Sequence, residues 1–279
     1  MKKYCLGLLL TFCVQQPALA DVELVFGIYT SDKATAMVKQ FRPMLNVIET
    51  KMTSKLGEPV QIRMQISKNY QEGLNDLIDG KFDFARFGPA SYILAKEANP
   101  QITLLAMESN NGSKTFNGVI CVHSNSTIES VNDLKGKSFA FGDENSTIGR
   151  YLSQAYLAQH SIISKQLEHY SYLGRHDKVG TAVATEQFDA GALKENTFKK
   201  LVKKGAPLKA IAYFENVTKP WIASATLDEK ITISLQETLL SITDPNALKA
   251  IKKDGFLLAT DSDYKKIRMA MADTQFFNE

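Results

Sequence analysis

The sequence predicts an α/β protein built as two lobes, each a mostly parallel sheet flanked by helices, with a hinge of two chain crossings between them. Three observations carry that prediction. Short apolar runs alternate with stretches of helical period, as strand–helix units around parallel sheets do. The alternation runs through two series of four or five strands. The tail after the second series then reads as nearly all helix, and helices without strands of their own must pack on a sheet already made.

The chain has 279 residues, and the first 20 read as a secretory leader. Lys2 and Lys3 give a basic start, Cys5 to Val14 an apolar core too short to span a bilayer, and Ala18-Leu19-Ala20 a small-residue cleavage signal before Asp21. Phe12 ahead of Cys13 fits lipoprotein processing poorly. After cleavage at Ala20, in the periplasm, 31 basic residues face 30 acidic ones. That balance gives no drive toward nucleic acid or an anionic membrane, so charge recognition must be local. Only Cys121 is left, within the apolar run GVICV, which makes it a buried hydrophobe rather than half of a disulfide.

The elements follow in order. VELVFGIY (22–29) alternates as a strand. Residues 33–56 place Met37, Phe41, Met44, Leu45, Ile48, Met52 and Leu56 near helical spacing, with Gly57 as the stop and Pro59 as a breaker. VQIRMQI (60–66) is a second strand, Asn69 to Ile78 a helix ended by Gly80, FDFARF (82–87) a third strand. Pro89 opens the next helix, and ITLLAM (102–107) is a fourth strand. In the second series, 118–122, 137–141, 168–172, 188–193 and 209–214 read as strands, and 146–159, 177–186 and 195–203 as helices. The tail gives helices at 228–242, 245–253 and 263–276. The first lobe is then 21–117 plus 216–279, and the second 118–215.

In open α/β sheets, ligands sit where strands end and helices begin. Three turns on the first lobe qualify, carrying Tyr29, Tyr70, and the Gly88-Pro89-Ala90-Ser91-Tyr92 run. Tyr92 can wall a cleft or pack in the core. On the second lobe, GDENSTIGR (142–150) puts Ser146 and Thr147 at a helix start. There, free N–H groups and the helix dipole favour an anion, though Ser146 can also serve only as a cap. The turn at 173–178 offers Arg175 and His176. The four histidines show no zinc-type spacing, so no metal site is expected, and no cofactor loop or catalytic motif is present. Cys121 and His176 are the only candidates for a reactive group in a secreted enzyme.

Several stretches together resemble the phosphate/phosphite/phosphonate-type solute-binding proteins of ABC transporters, which have the type II periplasmic binding fold. They are FDFARFGPASYILA, VNDLKGKSFAFGDENST, GRHD and FDAGAL, in the expected order across most of the chain. The resemblance implies a small oxyanion held between the lobes by Ser146 and Thr147, helped by Ser91, Tyr92 and His176. It implies a monomer whose partner is an ABC permease; a membrane sensor protein reading the same bound state is the alternative. Asp189 is read as structural. The sequence departs from the family after the N-S-T turn, where Ile148-Gly149-Arg150 stands, and at Arg175 and Lys194. A lysine in place of the family's small acid or amide disfavours a ligand ammonium. Arg150, Arg175 and Lys194 can enrich the cleft for a multiply charged oxyanion, or point to solvent.

Overall fold

In a computed structural model of the protein, residues 21–31 and 33–278 are described, and the expected leader lies outside them. Strand β1 (Val22–Tyr29) pairs in parallel with β2 (Val60–Ser67) on one edge and with β3 (Phe84–Arg86) on the other. Between them runs helix α1 (Ala34–Leu56), which buries Met37, Phe41, Met44, Leu45, Ile48 and Met52 as one stripe and stops at Gly57 in the left-handed region, φ 76°. Leu56 is only partly buried. Helix α2 (Tyr70–Ile78) is capped by Asn69, whose side chain accepts from Glu72 N. Helix α3 (Pro89–Ala98) begins at Pro89, as predicted, and strand β4 (Thr103–Ser109) follows.

The second sheet holds β5 (Thr115–His123), β6 (Phe139–Phe141), β7 (Tyr170–Tyr172), β8 (Ala190–Lys194) and β9 (Leu208–Val217), with helices α4 (Leu152–Gln159), α5 (His176–Ala184) and α6 (Glu195–Lys203). Asp189 is structural here: its carboxylate accepts from Ser138 N and Ser138 Oγ, both at 2.8 Å. Strand β10 (Pro220–Ala223) follows, and the tail from Asp228 on is nearly all helix, as predicted: helices α7 (Glu229–Leu240), α8 (Pro245–Ile251) and α9 (Lys265–Phe277), with one short strand, β11 (Gly255–Leu257), between α8 and α9. β10 opens on a proline, a position a strand tolerates because the first residue can forgo its N–H.

Both sheets are mixed. The first has order β11-β4-β10-β3-β1-β2 and the second β7-β6-β8-β5-β9. β10 runs antiparallel between β3 and β4, and β5 antiparallel between β8 and β9. The parallel series that the strand–helix alternation predicts is present in each sheet, but each is interrupted by one strand that enters from the other lobe. The crossings lie side by side: β5 pairs with β9 from Thr115↔Val217 onward, and Thr218 N donates to Lys114 O at 2.7 Å.

Helices cover both faces of each sheet. Phe26, Phe41, Ile48 and Leu235 belong to one core of the first lobe, and Tyr29, Leu77, Tyr92 and Ile267 to the other. Tyr151, at the head of α4, packs into that second core, while Phe277 of α9 packs among Phe139, Phe141 and Leu157 of the second lobe. No described helix is long and apolar enough to cross a membrane.

Candidate functional site

The turn after β6 lies against the starts of α2 and α3. Gly142 and Gly149 hold it tight: Gly142 N donates to Gly149 O at 2.8 Å, and a Cβ on Gly142 would stand 2.9 Å from Gly149 Cα. The helix does not start as a regular α-helix. Thr147–Tyr151 forms a π-helical turn, a local widening often found at binding sites.

The two hydroxyls of this turn divide the work. Ser146 is the cap, its Oγ accepting from Gly149 N at 3.0 Å. Thr147 Oγ1 instead reaches across the cleft and accepts from Ala90 N, in the first turn of α3, at 2.9 Å. Ser91 Oγ donates to Asn145 O at 3.4 Å, and Asn145 Nδ2 to Gln71 Oε1 at 3.1 Å. Asp143 receives the Tyr70 backbone N–H; burial pushes its carboxyl above the usual range, against that hydrogen bond.

Tyr29 is the other anchor. Gly88 N donates to its phenolic oxygen at 2.6 Å, Ser91 Oγ lies 2.9 Å away, and the ring stacks on Tyr70 at 3.8 Å. Burial pushes the Tyr29 phenol up to about 12, so it is a neutral donor or acceptor at neutral pH. Three hydroxyls therefore meet at one point. A Cβ built on Gly88 would lie 3.1 Å from Tyr29 Oη, 3.3 Å from Thr147 Oγ1 and 3.9 Å from Ser91 Oγ. Gly88→Ala is compatible with the backbone, at φ −80°, but fills this point. It should lower ligand affinity at least tenfold with little change in melting temperature, as read by calorimetry and a thermal melt. A variant that binds normally would show that ligand does not come within reach of the three hydroxyls.

Beside this point is a cavity of about 10 Å³ walled by Tyr70, Ser146, Thr147, His176, Lys194 and Lys219, with Gly88, Phe116 and Asn216 among its other residues. Asn216 Oδ1 is buried there without a hydrogen-bond partner. Phe116, Lys194 and Lys219 also wall a larger, adjoining cavity of about 120 Å³. Its charged lining among the described residues is Arg86, Lys194, Lys200, Lys219, Lys252 and Lys253 against one acid, Glu108.

Sequence reasoning located most of these positions, but not all. Tyr70, Ser146, Thr147, His176 and Lys194 line the inner cavity. Tyr29 and Ser91 stand behind it, bonded to each other. Tyr92 does not line it: the ring packs on Tyr264 at 5.0 Å, and its hydroxyl donates to Asp261 Oδ1 at 2.9 Å. Arg150 and Arg175 line neither cavity. Arg150 folds back to donate to Glu144 O at 2.9 Å and lies over the Tyr151 ring, while Arg175 forks onto Asp177 with two hydrogen bonds of 2.9 Å. Lys219 and Asn216 were missed. They sit at the β9–β10 crossing, beside the lobe boundary that the sequence puts after residue 215, and the N-V-T-K-P run there is the signal that marks them.

Cys121 is buried in β5, and burial pushes its thiol up to about 12, where no thiolate forms at neutral pH. Among the described residues, no group of His, Cys, Asp and Glu could hold a metal ion.

Among curated proteins, the sequence is 24% identical over 284 residues to a probable ABC transporter phosphite-binding protein of Prochlorococcus marinus, covering 89% of this chain and 94% of that one. It is 29% identical over 192 residues to the phosphonates-binding periplasmic protein of Escherichia coli, covering 67% of this chain and 54% of the relative. Among solved structures, the Prochlorococcus marinus protein in complex with methylphosphonate superposes with a TM-score of 0.79 at 23% identity, over 91% of this chain and 98% of that one. A binding-protein component of an ABC phosphonate transporter from Pseudomonas aeruginosa gives a TM-score of 0.79 at 18% identity, over 91% and 87%. The two-lobed architecture is thus that of type II periplasmic binding proteins. Residues 26–264 match the family described as "ABC transporter, phosphonate, periplasmic substrate-binding protein", and the chain belongs to that family.

Proposed function

We propose that this protein is a monomeric receptor that captures a phosphonate or a related small phosphorus oxyanion between its lobes and delivers it to an ABC permease. The lobes are 21–117 plus 216–279, and 118–215. The observation that carries the reading is the Thr147 hydroxyl bonded to Ala90 N, with Tyr29 and Ser91 beside it. A tetrahedral oxyanion needs several donors converging from different directions, and a helix start supplies N–H groups together with a favourable dipole. Thr147, from one lobe, and α3, from the other, would both hold the same oxygen-rich group. Ligand would then bind the closed arrangement better than an open one, which is what hinge closure requires.

Within this reading, Ser146 fixes the shape of the turn, Thr147 and Ser91 donate to ligand oxygens, Tyr70 walls the site and Tyr29 backs it. His176, at the start of α5, and Lys219 add positive or hydrogen-bonding contacts. The chain reaches the periplasm through a leader cleaved after Ala20. The relatives are named for phosphite, phosphonate and phosphate, and the tetrahedral oxyanion is what those ligands share.

A thermal-shift series with methylphosphonate, phosphite and phosphate tests the reading. At a hundredfold excess over Kd, a ligand bound only by the folded state stabilises by about 2.7 kcal/mol. For a chain of this size, that is a rise of roughly 5–10 °C. No rise with any of the three, alongside a clear rise with a sulfonate or a carboxylate, would remove phosphorus from the assignment.

A further inference from the structure

Asn216 is 2% exposed, and among the described residues nothing donates to its Oδ1. A buried carbonyl oxygen in that state is costly, and the large majority of such groups in folded proteins are paired. Its place in the fold says what it faces. Asn216 stands next to the end of β9, directly opposite Phe116 of β5 in the antiparallel ladder. Opposite residues carry their side chains on the same side of a ladder, and Phe116 is a wall of the inner cavity. Glu215 and Val217, its neighbours in the strand, take the other side.

The group that Asn216 meets is the oxyanion and not a substituent. It shares a cavity of about 10 Å³ with Ser146, Thr147 and His176, which is room for about one oxygen atom. An amide oxygen can only accept. Of the oxygens on a tetrahedral oxyanion, only a protonated one can satisfy it. A bare, charged oxygen would meet it with like polarity and leave both unpaired.

From this placement we infer that Asn216 reads the protonation state of the ligand. Its Oδ1 accepts the P–OH hydrogen of a singly ionised phosphonate or phosphite, so the monoanion is the species bound, and an oxyanion with no proton to give is rejected. The inference rests on the phosphorus-oxyanion reading above and deepens it. A phosphonate or phosphite keeps one P–OH after its first ionisation and loses it in the second. A sulfonate, once ionised, has none. The Thr147 hydroxyl then serves the charged oxygens, and Asn216 takes the one proton that remains.

The titratable groups that line the same cavity are Tyr70 of α2, His176 of α5, Lys194 of β8 and Lys219 at the crossing. Asn216 also borders an outer groove, where Tyr156 of α4, Tyr213 and Glu215 of β9, and Lys266 and Asp273 of α9 stand. His176 is the histidine among them, and histidine is the side chain that ordinarily changes charge between about pH 5 and 8. A pH profile has to separate its proton from that of the ligand.

Titration calorimetry with methylphosphonate and with phosphite, from about pH 5 to about pH 9, makes that separation. Affinity should fall about tenfold per pH unit above the second ionisation of each ligand, so the two midpoints should differ as those ionisations do. A midpoint common to both ligands belongs to His176 and overturns the inference. So does an affinity that stays level or rises with pH, the latter being the result if the amide turned its NH₂ toward a dianion. Methanesulfonate matches singly ionised methylphosphonate in shape and charge but has no proton to donate. It should bind at least tenfold more weakly than methylphosphonate below the second ionisation, and any smaller gap overturns the inference. Asn216→Leu removes the acceptor and should close the gap to within threefold; a gap left unchanged overturns it as well. If the leucine variant does not fold, the profiles of the unmodified protein decide alone. Failure of both phosphorus oxyanions to bind at any pH overturns the inference together with the reading on which it rests.

Discussion

Replacing Thr147 with valine is expected to weaken methylphosphonate binding by a hundredfold or more. Valine keeps the shape of the side chain and removes only the hydroxyl. On the proposed reading the lost contact would be to a charged oxygen, worth about 1.5–3 kcal/mol. The Ala90 N–H, which donates to Thr147 Oγ1 at 2.9 Å, would also lose its acceptor within the closed cleft. Leaving that buried donor unsatisfied adds a penalty of about 1–3 kcal/mol to the closed state alone. Together the two terms come to about 2.5–6 kcal/mol, on the order of a hundredfold or more in affinity. Ser146→Ala is the contrast. Its hydroxyl caps the turn through Gly149 N, so its chief effect is a stability loss of about 1 kcal/mol, with any affinity loss following from a loosened turn. Calorimetry and thermal melts on the two single variants separate the roles, which a double substitution would blur. Affinity within threefold of normal for Thr147→Val would place the ligand elsewhere.

Glu108→Gln is expected to cost the folded protein about 3–5 kcal/mol, the usual result of removing one partner of a buried ion pair. Burial acts to raise the Glu108 carboxyl, but the Arg86 charge and hydrogen bonds, with Lys253 and Lys219 beyond, outweigh it and hold the group below its ordinary 4.5. Because the folded value is depressed, the stabilisation is fully present above about pH 4.5 and is lost as pH falls through the lowered value. Denaturant midpoints measured from pH 7 down to pH 3 should therefore fall steeply for the unmodified protein and more shallowly for the glutamine variant, which starts lower. A variant that loses less than 1 kcal/mol at pH 7 would mean that the pair merely offsets its own desolvation.

Much of the fold can be read from the sequence, because each core-facing stripe is written at the period of its element. Helix α1 shows Met37 through Met52 at helical spacing and a glycine at its end, and the structure uses both. β10 and β11 were not legible. They are four and three residues long and stand outside the strand–helix alternation; their strand state comes from antiparallel pairing with β3 and β4. The candidate site was legible where it depends on local geometry. Ser146, Thr147 and the Gly88–Pro89 start sit at strand-to-helix turns that sequence order alone reveals. It was not legible where it depends on which way a long side chain turns. Arg150 and Arg175 could face the cleft or solvent, and each instead takes a nearer oxygen on its own segment, Glu144 O and Asp177. Tyr92 could wall a cleft or pack in the core, and what decides it, its hydroxyl partner Asp261, lies in the distant tail. Lys219 enters the site because the chain crosses between lobes there, a property of topology rather than of neighbouring residues.

The exchange of Tyr151 and Phe277 between cores bears on the order in which the chain can fold. Phe277 fills a place beside Phe141 and Tyr170, although every other residue of that core precedes it by a long stretch. A ribosome-bound chain lacking α9 has its second lobe open at that place, and its first lobe still waits for β10 and β11. Neither half can finish before the tail is made, so long-range closure is left to the end of synthesis. If the proposed leader carries the chain out unfolded, that delay would help to keep it open until export is complete.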